Sequence, residues 1–379
     1  MSAVRRTDST ARSTEPSTEP STEPTVGPDA AADDAASRDS VGIDQTRVGS
    51  WFRQHVPGVV PPLHFTLIAG GRSNLTFRVE DADGRAFALR RPPVSHVLPT
   101  AHDMSREHRL ISALAPTGVP VPTPLGLCTD EAVNGAPFHV MEFVEGHVLR
   151  DEDDARDLEP AVRAVVGDHL AETLAALHAV DVDAVGLADL ARHDGYVERQ
   201  LRRWSRQYED TQVAGVDHGG LVEKVGAELS ARIPVQRRVG IVHGDYRLDN
   251  LVLDDEGRVK AILDWEICTL GDPMADVGLL QCFWTEPGEE PALLVAPTRA
   301  PGFCSRAQVL ERYAAASGAD VSEIDYYTAF GYWKLACILQ GVYARYVSGA
   351  GAGDTGSVEE YPRQIGRLAA LAASTLARR

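Results

Sequence analysis

HGDYRLDN at residues 243–250 and ILDWEICTLGDPMAD at residues 262–276 are the two stretches that decide what this chain can fold into. Asp245 can orient a hydroxyl group and accept its proton, as a general base does. Asn250 and Asp264 offer an amide oxygen and a carboxylate, which are the hard oxygen ligands that Mg²⁺ prefers. The three residues together are the groups needed for moving a phosphoryl group.

The spacing of these residues matches a kinase catalytic loop. That loop has the form H-R-D-x-x-x-x-N and is followed by a metal-binding Asp; here Gly244 stands where the Arg would be. The residues between Asn250 and Asp264 predict a β-hairpin that turns at Glu256-Gly257, so we expect the two side chains to face each other across one ion. The predicted cofactors are therefore ATP and Mg²⁺.

These stretches resemble the aminoglycoside phosphotransferase family, a branch of the protein-kinase-like fold. The family pattern HGDxxxxN followed by ILDWExxxxGDPxxD is specific, and this chain carries it in full. Within the family, the chain is similar to a subgroup that includes the kinase-like N-terminal domains of certain acyl-CoA dehydrogenase family members. The subgroup motifs GGxSN, LRRPP, REHR, RQxRRW and HGDxRxDN all occur here.

The resemblance covers roughly residues 43–379 and implies an α+β, two-lobed protein-kinase-like fold. We expect residues 43–145 to form a small antiparallel-sheet N-lobe and residues 146–379 a larger, mostly helical C-lobe. Residues 1–42 repeat the segment STEP three times and are too polar to bury a core, so they predict a disordered tail. That tail is either a solubilising extension, which composition favours, or a partner-binding or phosphorylated segment.

Hydrophobic periodicity predicts the individual elements of both lobes. Strands are expected near 64–69, 74–80, 86–91, 124–128 and 137–143, and helices near 44–56, 103–115, 157–179, 194–209, 219–231, 274–284, 305–317, 323–347 and 358–377.

The turn between the first two predicted strands is a candidate phosphate loop. Glycines allow the backbone to approach phosphate oxygens closely, and the turn reads GGRSN at residues 70–74. Gly71 would supply backbone contact, while Ser73 and Asn74 would add side-chain donors. An ordinary glycine hairpin is the competing interpretation.

The third predicted strand, FALR, occupies the position of the kinase V-A-I-K strand. This alignment places Ala88 under the adenine and Arg90 at the Lys position. The chain has three lysines, and the first is Lys224, so an Arg must take the phosphate-binding role in the N-lobe if that role is filled. Arg91 is the adjacent alternative, but strand alternation favours Arg90, on the same face as Ala88. We expect Glu107 on the following helix to pair with Arg90.

The last N-lobe strand, FHVMEFVEG at residues 138–146, is expected to lead into the hinge. The kinase pattern makes Met141 the gatekeeper and assigns the backbone of Glu142 and Phe143 to adenine binding.

Four further residues near the catalytic loop receive predicted roles. Arg247 lies two positions after Asp245, where it can neutralise phosphate charge. Asp272 and Asp276 are predicted to be structural, with Asp276 capping a helix or bracing the catalytic loop through His243.

The acceptor site is less defined by the sequence. Arg199, Arg203 and Arg206 fall on one face of a predicted helix, and in an acidic protein such a face can attract an anionic substrate. A solvated face paired with local carboxylates is the alternative. We expect a small-molecule alcohol, anionic in character, as the phosphoryl acceptor.

Charge and composition bear on which other partners the chain could have. The net charge is −18, which disfavours nucleic acid and a membrane surface. Five scattered cysteines and no long apolar run predict a reduced, cytoplasmic protein. An antibiotic kinase acting on aminoglycosides or macrolides, and a nucleotide-binding pseudokinase, remain as alternative functions; the oligomeric state is left open.

Overall fold

The computed structural model describes residues 42–69, 74–94, 103–216, 218–293, 296–349 and 358–378. The described residues all belong to one compact unit, residues 42–379. The predicted tail, apart from Gly42, lies outside the described residues, and so do the predicted phosphate-loop residues Gly71 and Ser73.

The N-lobe is one antiparallel sheet with a helix on each face. Its elements are α1 (Gln45–His55), β1 (His64–Ala69), β2 (Leu75–Glu80), β3 (Ala86–Arg91), α2 (Met104–Leu114), β4 (Pro124–Cys128), α3 (Glu131–Asn134) and β5 (Phe138–Glu142). The strand order is β1-β2-β3-β5-β4.

Strand β3 is buried on both faces, and its successive side chains point alternately to one face and the other. Phe87 and Leu89 join the aromatic core that α1 covers, while Ala88 packs with the core of α2. Arg90 shares the α2 face with Ala88 because side chains two apart point the same way. In register, Arg90 lies opposite His139 on β5.

The C-lobe is mostly helical. Its elements are α4 (Glu152–Arg156), α5 (Pro160–Ala179), α6 (Tyr196–Asp210), α7 (Leu221–Ala231), β6 (Gly240–Val242), β7 (Leu251–Leu253), β8 (Val259–Ile262), β9 (Thr269–Gly271), α8 (Met274–Phe283), α9 (Arg306–Ser317), α10 (Ile324–Val347) and α11 (Tyr361–Leu376). The predicted two-lobed α+β architecture is confirmed. In the part of the chain that the structure describes, none of the helices combines the length and apolar character that crossing a membrane requires.

Helix α10 runs through the middle of the C-lobe, and glycines bring its neighbours close. A Cβ on Gly278 of α8 would lie 2.3 Å from the carbonyl carbon of Tyr327 on α10. A Cβ on Gly341 of α10 would lie 2.8 Å from the Gln207 side chain of α6. A larger residue at position 278 would meet backbone atoms and push α8 away from α10, whereas at position 341 it would meet only the flexible end of the Gln207 side chain.

Two small antiparallel sheets hold the loop formed by residues 243–250. Strand β7 pairs with β8, which is the predicted hairpin. Strand β6 pairs with β9, a pair that the sequence did not predict. Since β6 ends at Val242 and β7 begins at Leu251, both ends of the loop are anchored.

Candidate active site

Asp276 on α8 braces the loop of residues 243–250 through hydrogen bonds to its backbone. Its carboxylate accepts hydrogen bonds from the backbone N–H groups of His243, at 2.6 Å, and Gly244, at 2.8 Å. His178 lies 3.3 Å away on α5 and is itself within 2.8 Å of the Tyr313 hydroxyl. Burial raises the pKa of Asp276, but the bond with His178 and the backbone donors outweigh burial and lower it overall. Asp276 therefore contacts the loop as a carboxylate.

The sequence offered two roles for Asp276, and the structure separates them. The N-cap of α8 is Pro273, so Asp276 is a first-turn residue and not the cap. Bracing is the observed role, and it reaches the backbone of His243 and not the imidazole. Asp272 accepts hydrogen bonds from the Met274 N–H and from the buried Tyr327 hydroxyl, and its structural role stays a prediction.

His243 supports the loop through its ring. Its Nε2 lies 2.9 Å from the carbonyl oxygen of Leu263, and its Nδ1 accepts from the N–H of Asp245 at 3.3 Å. These partners require a neutral ring with the proton on Nε2. The imidazole also packs edge-on against Trp265 at 4.8 Å between centroids. It thus joins the catalytic loop to the LDWE segment.

Asp245 and Asn250 are in direct contact. The Asn250 side-chain nitrogen donates to the Asp245 carboxylate at 2.8 Å and to its carbonyl oxygen at 2.9 Å. Because the nitrogen is committed in this way, the amide oxygen is the atom of Asn250 available to a cation. Arg247 pairs with Asp249 and lies 3.9 Å from the Asp245 carboxylate.

Asp264 has the strained backbone that often marks functional sites. Its φ is +59°, and it is the one non-glycine residue with positive φ among those the structure describes. The adjoining Leu263 N–H donates to the Asn250 carbonyl at 2.8 Å. A backbone hydrogen bond therefore joins the two segments that carry the predicted metal ligands, Asn250 and Asp264.

The site fits Mg²⁺ held jointly with a nucleotide. Across the described segments, no three His, Cys, Asp or Glu side chains gather as a ready-made metal site. One carboxylate from Asp264 and one amide oxygen from Asn250 would leave the other positions to phosphate and water oxygens, as is usual for Mg²⁺. When bound, the ion would neutralise charge on the transferring phosphoryl group.

Arg90 connects the two lobes through a buried network. Its guanidinium lies 2.8 Å from Glu107 and donates to Asp264 at 3.0 Å. The predicted Arg90–Glu107 pair is thus present, and the bond to Asp264 is additional. Burial raises the pKa of Glu107, but the charge of Arg90 and the neighbouring His139 outweigh it and lower that pKa to about 2. The role of Arg90 toward phosphate stays a prediction.

Asn74, at the end of the predicted phosphate loop, contacts the C-lobe. Its side-chain nitrogen donates to Glu266 at 3.2 Å. Burial and the charge of Asp264 raise the pKa of Glu266 to about 7, in spite of Arg90. The sequence pointed Asn74 at phosphate and left Glu266 without a role, because residues 192 apart in the chain carry no local signal for such a contact.

The predicted adenine-binding residues are adjacent in the sheet. Met141 is buried opposite Ala88. The N–H of Glu142 donates to the Thr123 carbonyl at 2.8 Å, and the N–H of Phe143 donates to the Ala86 carbonyl at 3.4 Å. Nucleotide contact through these two residues would thus need their carbonyl oxygens.

The three predicted acceptor-site arginines are used differently. Arg199 donates to the carbonyl oxygen of Arg192 at 2.8 Å, so it is tied to the protein. Arg203 and Arg206 are exposed, and neither forms an ion pair with any residue that the structure describes. The paired arginine on this helix is Arg202, which binds Glu198 at 2.5 Å.

Lys334 is a site residue that the sequence analysis missed. It lies on α10, is 7% exposed, and donates to the Gly244 carbonyl at 3.2 Å. Helix α10 is apolar on nearly all faces, so periodicity gave no sign that one side chain reaches the catalytic loop. The available signal was that Lys334 is the one charged residue in the apolar middle of this helix, between Asp325 near its start and Arg345 near its end.

Comparison with known proteins gives a consistent picture. The model of the phosphotransferase enzyme family, APH, matches residues 64–327. Mouse acyl-CoA dehydrogenase family member 10 is 34% identical over 299 residues, covering 78% of this chain and 28% of the relative. The chain therefore spans less than a third of that curated relative.

Solved structures show the same fold. A Ralstonia eutropha protein described as a candidate aminoglycoside phosphotransferase has a TM-score of 0.74 and 32% identity, with 88% of this chain and 98% of that chain covered. Choline kinase from Cryptosporidium parvum has a TM-score of 0.61 at 14% identity, covering 88% and 96% of the two chains. At that identity the likeness concerns the fold alone.

Proposed function

Since the chain belongs to the phosphotransferase enzyme family, APH, and is a small-molecule kinase with a hydroxyl acceptor, we propose that it phosphorylates an anionic alcohol. The donor is ATP, and the acceptor is a hydroxy acid or a hydroxyacyl-CoA compound. The observation that carries this proposal is the contact of Asp245 with Asn250, next to the strained Asp264 that Arg90 holds.

The proposed chemistry is a direct in-line transfer. The acceptor oxygen forms a bond to the γ-phosphorus while the bond between that phosphorus and the β,γ-bridging oxygen breaks, which releases ADP. Asp245 orients the hydroxyl and takes its proton. Arg247, beside Asp245, and Arg90 offset negative charge on the phosphates. Asn250 and Asp264 would hold Mg²⁺.

Two features support an anionic acceptor. Arg203 and Arg206 present positive charge on the surface of α6 without acidic partners in the described part of the chain. Polycationic antibiotics would be repelled by such a surface. In addition, the curated relatives carry acyl-CoA dehydrogenase in their names, which favours an acyl-CoA compound for this chain as well.

The test is a coupled ADP-release assay with Mg·ATP, and with Mg·GTP in parallel. The acceptor panel holds 3- and 4-hydroxyacyl-CoA esters, free hydroxy acids, aminoglycosides and macrolides, and the Asp245→Ala variant is the blank. We expect turnover above the blank on the hydroxy acids or CoA esters. Turnover on antibiotics alone would replace the proposal with an antibiotic kinase, and binding of Mg·ATP without any turnover would favour a pseudokinase.

A further inference from the structure

Lys334 is unusual in this chain because lysine is rare here and seldom buried. The chain has three lysines; Lys224 and Lys260 are exposed, whereas Lys334 is 7% exposed. Removing an ammonium group from water costs several kcal/mol unless partners compensate. A charged lysine that is buried next to the catalytic loop therefore requires compensating partners.

The contacts of Lys334 within the protein are incomplete. An ammonium group has three donors, and the described residues supply one acceptor, the Gly244 carbonyl oxygen at 3.2 Å. No carboxylate of those residues forms an ion pair with it. The Trp204 ring, with its centroid 6.0 Å from Nζ, adds a cation–π contact.

The nearest carboxylates are occupied elsewhere. Asp276 accepts from the backbone N–H groups of His243 and Gly244, and Asp245 accepts from Asn250. Both act on Lys334 only at longer range. Burial lowers its pKa, the charges of these two carboxylates oppose that effect, and Arg203 adds to it.

Arg203 completes a cationic pair around one aromatic ring. Its guanidinium carbon lies 5.1 Å from the Trp204 ring centroid, so Lys334 and Arg203 are both in contact with that ring. Two cations that share a neighbourhood repel each other, and Arg203 has no ion pair among the described side chains. An anion placed between them would remove the repulsion and supply the missing acceptors.

We infer that Lys334, with Arg203 and the Trp204 ring, forms a subsite that binds the anionic group of the phosphoryl acceptor. The inference rests on the proposed function and deepens it by naming where the carboxylate or phosphate of the alcohol binds. Lys334 reaches Gly244, the residue before Asp245, so an acceptor anchored there can present its hydroxyl to the base. The same charges disfavour a polycationic acceptor.

Three acceptors with one alcohol and different charge test this subsite: 3-hydroxybutyrate, its CoA thioester, and its neutral N-acetylcysteamine thioester. The variants are Lys334→Met, Lys334→Arg and Arg203→Gln, with Lys224→Met as the control for loss of an exposed lysine. Loss of a charged hydrogen bond predicts an increase in KM of about 10- to 100-fold for the preferred anionic acceptor in Lys334→Met. The neutral thioester should change less than about threefold, and Lys334→Arg should keep most of the affinity because it keeps the charge.

The comparison of the free acid with the CoA ester identifies the anion. A larger effect on the acid means that the carboxylate binds at the subsite, whereas a larger effect on the CoA ester means that a phosphate does. An equal loss of kcat on all three acceptors, with KM unchanged, would overturn the inference, since Lys334 would then only shape the catalytic loop through Gly244.

A binding measurement separates this inference from the proposed function. Calorimetry with 3-hydroxybutyrate and with 3-hydroxybutyryl-CoA, in the presence of Mg²⁺ and a non-hydrolysable ATP analogue, does not require turnover. Weaker binding by Lys334→Met supports the subsite even if no acceptor on the panel is phosphorylated. Equal binding by wild type and Lys334→Met, or no binding by wild type, overturns it. If Lys334→Met does not fold by thermal melting, Arg203→Gln and Lys334→Arg carry the same comparison.

Discussion

The side of the site that we assign to the nucleotide and the side that we assign to the acceptor differ in how their charges are paired. On the nucleotide side, Arg90 is buried and ion-paired with Glu107 at 2.8 Å and Asp264 at 3.0 Å. On the acceptor side, Lys334 and Arg203 share the Trp204 ring, and neither has an ion pair within the described segments.

This contrast bears on how each of the two substrates would bind. A buried ion pair is costly to break, because the partner left behind keeps its charge without compensation. The Arg90 ion pairs therefore hold the side that we assign to the nucleotide in place without a ligand. The side that we assign to the acceptor keeps Lys334 and Arg203 without an ion pair among the described residues, and in our proposal an anionic substrate balances their charge. Substitutions on one side at a time test the contrast.

Glu107→Gln should have the largest effect, and the effect should be on stability. Removing the charge leaves Arg90 buried with a weaker partner, which predicts a loss of about 3–5 kcal/mol in the free energy of unfolding. Glu198→Gln is the control, since Glu198 is exposed and pairs with Arg202 on the surface; its cost should stay below about 1 kcal/mol. Chemical denaturation measures both, and similar losses would mean that the nucleotide side is not specially preformed.

The same variant should change the acid sensitivity of the fold. The fold lowers the pKa of Glu107 from 4.5 to about 2, so its contribution to stability is complete above pH 4.5 and is lost as the pH falls towards 2. The stability difference between wild type and Glu107→Gln should therefore narrow across that interval. A difference that does not change with pH would contradict the assigned ion pair.

The Arg90–Glu107 pair was predictable from the sequence because its signals are local. Strand alternation placed Arg90 with Ala88, and the apolar positions of α2 placed Glu107 at the edge of its buried face. The bounds of β1 and β3 agree with the prediction. The sequence Asp83-Gly84, a typical hairpin turn, separates β2 from β3.

Other features depend on tertiary contacts that no local pattern encodes. The β6–β9 pair consists of buried strands of three residues each, which are too short for a periodic signal. Lys334 reaches Gly244 from α10, a helix that packs closely against α8 at Gly278. No local sequence pattern indicates the positive φ of Asp264, although Asp adopts this conformation more readily than most residues.

Asp264→Asn should weaken nucleotide binding without affecting the acceptor. Loss of a charged ligand predicts a decrease in Mg·ATP affinity of about 10- to 100-fold. Asp255→Asn, an exposed change on the turn of the same hairpin, is the control and should bind Mg·ATP normally. Calorimetry with and without Mg²⁺ measures the effect, and unchanged affinity would reject Asp264 as a metal ligand.

Glu266 should make the metal-free protein less stable as the pH rises. Its pKa is raised from 4.5 to about 7 in the fold, so the folded state binds more protons than the unfolded state between these values, and stability falls as the pH increases through them. One group contributes at most about 1.4 kcal/mol per pH unit. Denaturation of wild type and Glu266→Gln in EDTA at pH 5, 6 and 7 should show this slope in the wild type only. Equal slopes in the two proteins would mean that burial beside Asp264 does not raise the pKa of Glu266.

Arg206→Gln should have the smallest effect and should depend on salt. Arg206 is exposed, so it can attract an anionic acceptor only through water, and we expect kcat/KM to fall about two- to fivefold at low salt. The decrease should disappear near 1 M salt, where charges are screened beyond about 3 Å. Arg202→Gln is the matched control, because its charge on the same helix is paired with Glu198. Equal decreases in both variants would show that the acceptor side senses the net charge of α6 and not the unpaired arginines, which would remove Arg206 from the contrast between the two sides.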